Sequence, residues 1–283
     1  MEGGVQKEFQ GRFIRMKSAA VLGLPIKHSL SPSIHNAAYK KLGIDATYIP
    51  IEVGSGQLGD FLKNQLFESS WMGFSLTMPL KEELCTLADS LGIALTPVAR
   101  RIYSANTIYR ERNSWRACST DVDGFAFLLS GRDFSTVSIL GAGGTARAAI
   151  ESLKPNHSIR IFRRNNQRDH EIAAAFPERK LTFQDWSRVE EAWNSDLVIN
   201  TVPVAGMNEL LESFSPCSLL IDALYEPWVP PLAKAQESAG QAVITGLDLL
   251  CAQAVGQISL MTGASFSYEE MFRYLRQIVQ LEV

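Results

Sequence analysis

Apolar positions along the chain fall into short β-branched runs that alternate with longer stretches of helical spacing. Ser18–Leu22 reads as a first strand closed by the turn Gly23-Leu24-Pro25. A helix is predicted next, with Ser31 as N-cap, Pro32 in its first position, apolar positions through Leu42 and Gly43 just past its end. Thr47–Val53 and Met72–Leu76 read as further strands, separated by the helical pattern Leu58–Leu66. The second of these strands runs into Thr77-Met78-Pro79-Leu80-Lys81, where Pro79 opens a helix that carries Lys81 in its first turn. Asn106–Tyr109 and Trp115–Ser119 form a predicted hairpin turning at 111–113, followed by a helix over Val122–Leu129 for which Asp121 is placed as N-cap. In the second half, Asp196–Asn200 and Ser218–Asp222 are buried strands that each end in polar residues. Val243–Gly246 is the last predicted strand, and a long apolar helix from Leu247 carries Gln253 towards Met261. Strands alternating with helices predict an α/β protein, with a mixed, mostly parallel domain first and a nucleotide domain beginning near Val122.

The most specific stretch is Thr136 to Arg168. The β-branched run Val137–Leu140 leads into Gly141-Ala142-Gly143-Gly144-Thr145-Ala146, then a helical run Arg147–Leu153 ending at Lys154-Pro155, then a strand Ile159–Phe162. This is G-x-G-x-x-A between a strand and a helix inside a βαβ unit, the context of a dinucleotide fingerprint. Glycines let the backbone approach a pyrophosphate, and the helix N-terminus offers unpaired N–H donors. An NAD-binding fold usually places an acidic residue about 20 residues past the first glycine, to hold the ribose 2′-hydroxyl. Here the second strand runs into Arg163-Arg164-Asn165-Asn166-Gln167-Arg168, with no acid. Planar guanidinium groups suit a 2′-phosphate, so the expected cofactor is NADP.

Composition narrows the class. The 283 residues are 46% hydrophobic and 20% charged with a formal net charge of −3, which gives no signal for nucleic acid or an acidic membrane surface. Cys85, Cys118, Cys217 and Cys251 have no paired spacing and read as reduced, buried residues of a cytoplasmic protein. The four histidines form no metal-ligand pattern, so no metal is expected. No apolar run approaches the roughly 18 residues of a membrane span. Residues 1–17 lack the apolar core of a signal peptide and read as a disordered extension.

From about Ala19 onward the chain resembles the shikimate dehydrogenases. The matching stretches, in the family's order, are Gly23 to Pro32, Gly73 to Lys81, Ser104 to Thr107, Ser119 to Gly124, Gly141 to Gly144, Tyr225 to Pro227 and Gly246 to Gln253. The resemblance implies a substrate-binding catalytic domain (18–121 plus 247–283), a Rossmann-type doubly wound NADP-binding domain (122–246) and a cleft between them. It implies reversible NADPH-dependent reduction of 3-dehydroshikimate to shikimate, a step of chorismate and aromatic amino acid biosynthesis, by a monomer or homodimer. Lys81 and Asp121 match the family's catalytic pair. A lysine is a poor base at its free pKa of about 10.4, so Asp121 would mainly orient the hydroxyl and the ammonium, with Lys81 nearest the transferred proton. The resemblance further implies Ser29, Ser31 and Tyr225 at the substrate carboxylate, and Thr77, Asn106 and Gln253 at the ring hydroxyls. It puts Gly141, Ala142, Gly143, Gly144 and Thr145 at the pyrophosphate, Arg164 and Arg168 at the 2′-phosphate with Arg163 beside them, and the backbone of Ala223 and Gly246 at the nicotinamide.

Several positions depart from the family pattern. Ser75 and Ser119 stand where the family usually has Asn, the segment Asn200–Met207 is one residue longer, and Arg163-Arg164-Asn165 replaces Asn-Arg-Thr with the central arginine kept. The two shortened side chains leave quinate or an aminoshikimate-type polyol acid as alternative substrates. A non-catalytic nucleotide sensor on the same fold is a third alternative, against which the presence of both Lys81 and Asp121 speaks.

Overall fold

The computed structural model describes residues 17–282. The expected extension falls on residues 1–16, outside the described residues, while Lys17 opens the first strand.

Two six-stranded sheets make up the molecule. The first contains β1 (Lys17–Gly23), β2 (Ala46–Glu52), β3 (Trp71–Leu76), β4 (Ile93–Leu95), β5 (Thr107–Glu111) and β6 (Ser114–Cys118), in the order β2-β1-β3-β5-β6-β4. It is mixed: β1 pairs parallel with β2 and β3, and β4 with β6, whereas β5 runs antiparallel to both β3 and β6. The second contains β7 (Thr136–Leu140), β8 (Ser158–Arg163), β9 (Lys180–Asp185), β10 (Leu197–Asn200), β11 (Leu219–Asp222) and β12 (Ala242–Ile244). Its order is β12-β11-β10-β7-β8-β9 and every pair is parallel. The chain moves one way from β7 through β9 and then the other way from β10 to β12. The crevice of this doubly wound sheet therefore opens at the carboxyl ends of β7 and β10, where such folds place ligands.

The near-continuous apolar runs of this sheet follow from burial on both faces. Ile139, Ile161, Ile199 and Ile221 pack into one core, while Leu140, Phe162, Val198 and Leu220 pack into another on the opposite side. Leu22, Phe74, Leu76 and Ile108 anchor a core on the first sheet. The helix Gly246–Thr262 leaves the last strand and returns to the first sheet. There it shares a core with the helices Ser31–Leu42 and Tyr268–Gln280 through Ile34, Ala38, Leu247, Cys251 and Leu275.

Several helix starts differ from the sequence expectation. Leu30, not Ser31, caps the helix Ser31–Leu42, and the Ser29 hydroxyl accepts the Ser31 N–H at 3.3 Å. Ser31 is itself helical, and it lines the cleft. Gly43 ends this helix with φ 66°, as expected of a left-handed cap. Asp121 is not an N-cap: Ser119 holds that position for the helix Thr120–Leu128, and Asp121 lies inside the first turn. The fingerprint helix spans Gly144–Ser152 and so begins three residues before the expected Arg147, because Gly144-Thr145-Ala146 open its first turn with the extended Gly143 as N-cap. The last strand ends at Ile244, and Gly246 starts the long helix, capped reciprocally by Thr245 and Asp248.

Candidate active site

Lys81 and Asp121 meet. The helix Leu80–Leu87 carries Lys81 in its first turn, and the Lys81 Nζ donates to Asp121 Oδ2 at 2.6 Å and to Thr145 Oγ1 at 3.3 Å. Asp121 is 4% exposed, so its carboxylate needs satisfied partners. Its second oxygen accepts from Asn106 Nδ2 at 2.9 Å. The remaining N–H of the Asn106 amide goes to Gln253 Oε1 at 3.2 Å. Asn106 Oδ1 accepts from the Thr120 amide at 2.8 Å and from Thr107 Oγ1 at 2.8 Å. Asn106 thus fixes Asp121 and at the same time lines the smaller cleft, where the ring-hydroxyl contact was expected of it. A second layer lies behind. Gln257 Nε2 donates to Thr107 Oγ1 at 3.2 Å, and Gln257 Oε1 meets His35 Nε2 at 3.2 Å. Gln257 and His35 are nearly silent in the sequence. The only available signal was a second amide four residues beyond Gln253, on the same face of an apolar helix.

Two clefts share this point. The smaller, of about 960 Å³, is lined by Ser29, Ser31, Ser75, Asn106, Asp121, Tyr225 and Gln253. Ala223 and Gly246 belong to its wall. Only glycine fits at 246, since an added Cβ would stand 2.3 Å from the Leu224 carbonyl oxygen. The larger, of about 1520 Å³, runs along Gly141, Ala142, Gly143 and Gly144 to Arg164 and Arg168. Thr77, Lys81 and Thr145 line both. A small ligand in the first cleft and an extended one in the second would therefore meet beside the lysine ammonium.

The far end of the smaller cleft brings Ser29, Ser31 and Tyr225 together. Burial holds the Tyr225 phenol above its ordinary pKa, Glu226 adds to the shift and the Ser29 hydroxyl opposes it. Those hydroxyls are neutral donors suited to a carboxylate. His28 and Glu226 stand 3.9 Å apart at the mouth. Ser75 lines the cleft, and its buried hydroxyl lies beside the Tyr48 phenol, whose upward shift by burial it partly opposes. Ser119 is also buried, its Oγ without a hydrogen-bond partner among the described residues, but it lies outside the lining, at the cap of the helix behind it.

The larger groove fits a dinucleotide by its own features. Gly141 has φ +103°, and a Cβ there would meet Thr201 Oγ1 at 2.5 Å, so the loop is shaped for glycine. No side chain caps the helix that follows, which leaves its first-turn N–H groups directed at the groove. Thr201 ties the loop down by donating its hydroxyl to the Leu140 carbonyl at 2.7 Å. The three arginines behave differently. Arg163 is neutralised inside the protein by Asp169 at 2.8 Å and Asp185 at 2.6 Å. Arg168 reaches the Ala142 carbonyl at 3.3 Å and crosses the groove to Glu82 at 3.0 Å. Arg164 points into the groove from over the face of Trp186. Residues 200 and 222, at the strand ends, are joined by Asn200 Nδ2 donating to Asp222 Oδ1 at 2.9 Å, and burial pushes the Asp222 carboxyl up to about 6. Among the described residues no cluster of acidic, histidine or cysteine side chains could hold a metal ion.

Residues 21–108 match the shikimate dehydrogenase substrate binding domain. The NADP(+) shikimate dehydrogenase of Citrifermentans bemidjiense is 32% identical over 271 residues, covering 88% of this chain and 91% of that protein. That of Pyrobaculum aerophilum is 34% identical, covering 83% and 88%. The crystal structure of Mycobacterium tuberculosis shikimate dehydrogenase superposes with a TM-score of 0.80 at 34% identity, covering 92% of this chain and 99% of that one. The Thermus thermophilus enzyme in complex with NADP(H) and shikimate gives 0.75 at 28% identity, covering 93% and 100%. With such identity spread over most of both chains, the protein belongs to the shikimate dehydrogenase family.

Proposed function

We propose that the protein interconverts 3-dehydroshikimate and shikimate with NADP as the redox partner. The observation that carries this reading is the 2.6 Å contact of Lys81 Nζ with Asp121 Oδ2 where the two clefts share their lining. Bound NADP supplies the hydride acceptor, and its reduced form the donor. The chain supplies proton transfer and orientation. Lys81 gives a proton to the carbonyl oxygen during reduction and recovers it during oxidation. Asp121, held by Asn106, aims the ammonium and accepts from the substrate hydroxyl. Ser29, Ser31 and Tyr225 donate to the substrate carboxylate, while Thr77 and Gln253 meet ring hydroxyls. Gly141 to Thr145 hold the pyrophosphate, and Arg164 and Arg168 hold the 2′-phosphate. Ala223 and Gly246 lie beside the nicotinamide through their backbones. Arg163 supports this region by pinning Asp169 and Asp185.

We divide the chain into a substrate-binding part, 18–121 plus 247–283, and an NADP-binding part, 122–246. The working form is a monomer or homodimer in the cytoplasm, a setting with which four free cysteines are compatible. No helix among the described residues is long and apolar enough to cross a membrane.

Ser75, a shorter side chain in the cleft wall than the family's asparagine, is the observation that favours one second candidate, quinate or an amino analogue. Initial rates of shikimate and quinate oxidation, each with NADP and with NAD, separate these cases by reduced-nicotinamide absorbance. Fast turnover of shikimate with NADP is expected. Turnover of quinate alone, or a preference for NAD, would overturn the assignment.

A further inference from the structure

Arg164 is held more tightly than an exposed groove arginine needs to be. Its guanidinium carbon lies 5.4 Å from the centroid of the Trp186 ring, within cation–π range. Glu209 stands 3.7 Å from Arg164 Nη2, and the same carboxylate oxygen accepts the indole N–H of Trp186. The backbone of Gly206 closes the third side: a Cβ there would come within 2.6 Å of Arg164 Nη2 and 2.5 Å of Val202 Cγ1. Gly206 belongs to the segment 200–207, the one that is a residue longer than the family pattern, and the helix Met207–Glu212 that follows it carries Glu209. The ring, the carboxylate and the extended segment thus converge on one guanidinium.

We propose that Trp186, Gly206 and Glu209 form a seat that fixes Arg164 in the groove, making them positioning residues for the choice of NADP over NAD. The proposal rests on the NADP-dependent function argued above. The physical reason is entropy: a free arginine side chain loses much rotamer freedom when it grips a phosphate, and a seated one has already lost it. Glu209 serves the seat by accepting the indole N–H of Trp186, which fixes the ring under Arg164. Trp186 covers the apolar face of the guanidinium and leaves its N–H edge open to the groove.

The seat is tested with ligand fragments, so that catalysis is not required. Calorimetric affinities for 2′,5′-ADP and for 5′-AMP are compared in the native chain and in Trp186→Ala, Trp186→Phe and Gly206→Ala. The Ala variants should lose roughly tenfold in 2′,5′-ADP affinity, the scale of one weakened charge-assisted contact, with AMP affinity changed less than about twofold. Trp186→Phe keeps a ring face and should recover part of the loss. Should Gly206→Ala fail to fold, the Trp186 pair decides the matter. Equal losses for both nucleotides, or none for either, would overturn the seat. A native chain that binds AMP as tightly as 2′,5′-ADP would overturn the NADP assignment as well, a separate outcome visible before any variant is made.

Discussion

His35 has no solvent exposure, stacks at 3.9 Å and 16° on the ring of Tyr48, and shares a 3.2 Å hydrogen bond with Gln257. Burial pushes its imidazole down to about 3, the Gln257 bond opposing only part of the shift. The folded chain therefore keeps His35 neutral where the unfolded chain, with an ordinary value near 6.5, takes up a proton. Its contribution to stability is fully present above that value and is lost as pH falls towards about 3. Between pH 6 and pH 4 the stability difference between the native chain and His35→Gln should shrink by about 1.4 kcal/mol per pH unit, as read by urea unfolding. A difference independent of pH would mean that the buried ring is protonated in the fold. Such residues were invisible in the sequence, because a histidine between Ile34 and Asn36 carries no local mark of its burial. Lys81 and Asp121 were legible because their short motifs travel with them. Arg163 was half legible: it lines the groove, as its type suggested, while its pairing with Asp169 and Asp185 is known only from the fold.

The helix Leu80–Leu87 links both clefts. Successive helical residues point about 100° apart, so Lys81 faces the shared junction while Glu82 reaches across the groove to Arg168. That ion pair engages a guanidinium that the cofactor phosphate would use. Glu82→Gln should therefore tighten NADPH binding by about two- to fivefold at low ionic strength, with the gain fading in high salt. Fluorescence titration of NADPH measures it; unchanged or weaker binding at low salt would show that Arg168 is not released by the exchange. At this scale β7, the glycine loop and β8 were readable from adjacent residues alone. The strands β4 and β9 were not, since Ile93–Leu95 spans three residues and Lys180–Asp185 is largely polar at the edge of its sheet. Helix starts slipped where the backbone overrode side-chain preference, as at Leu30 and at Gly144.

Across the whole molecule, two separately built sheets are brought together so that a small cleft and a long groove meet at one ammonium. Periodicity gave the alternation of strands and helices but not the return of Gly246–Thr262 to the first sheet, which delivers Gln253 to Asn106. That relation was available only through the resemblance of Gly246 to Gln253 to the family pattern. Lys81 is the residue on which both clefts converge. The decisive measurement is kcat for shikimate oxidation by Lys81→Ala at saturating NADP, paired with the NADP dissociation constant of the same variant. Loss of kcat by about 10²- to 10⁴-fold, with the dissociation constant within about threefold of native, is the predicted result. Retained turnover, or a collapse of NADP binding in its place, would contradict the assignment of Lys81 to proton transfer.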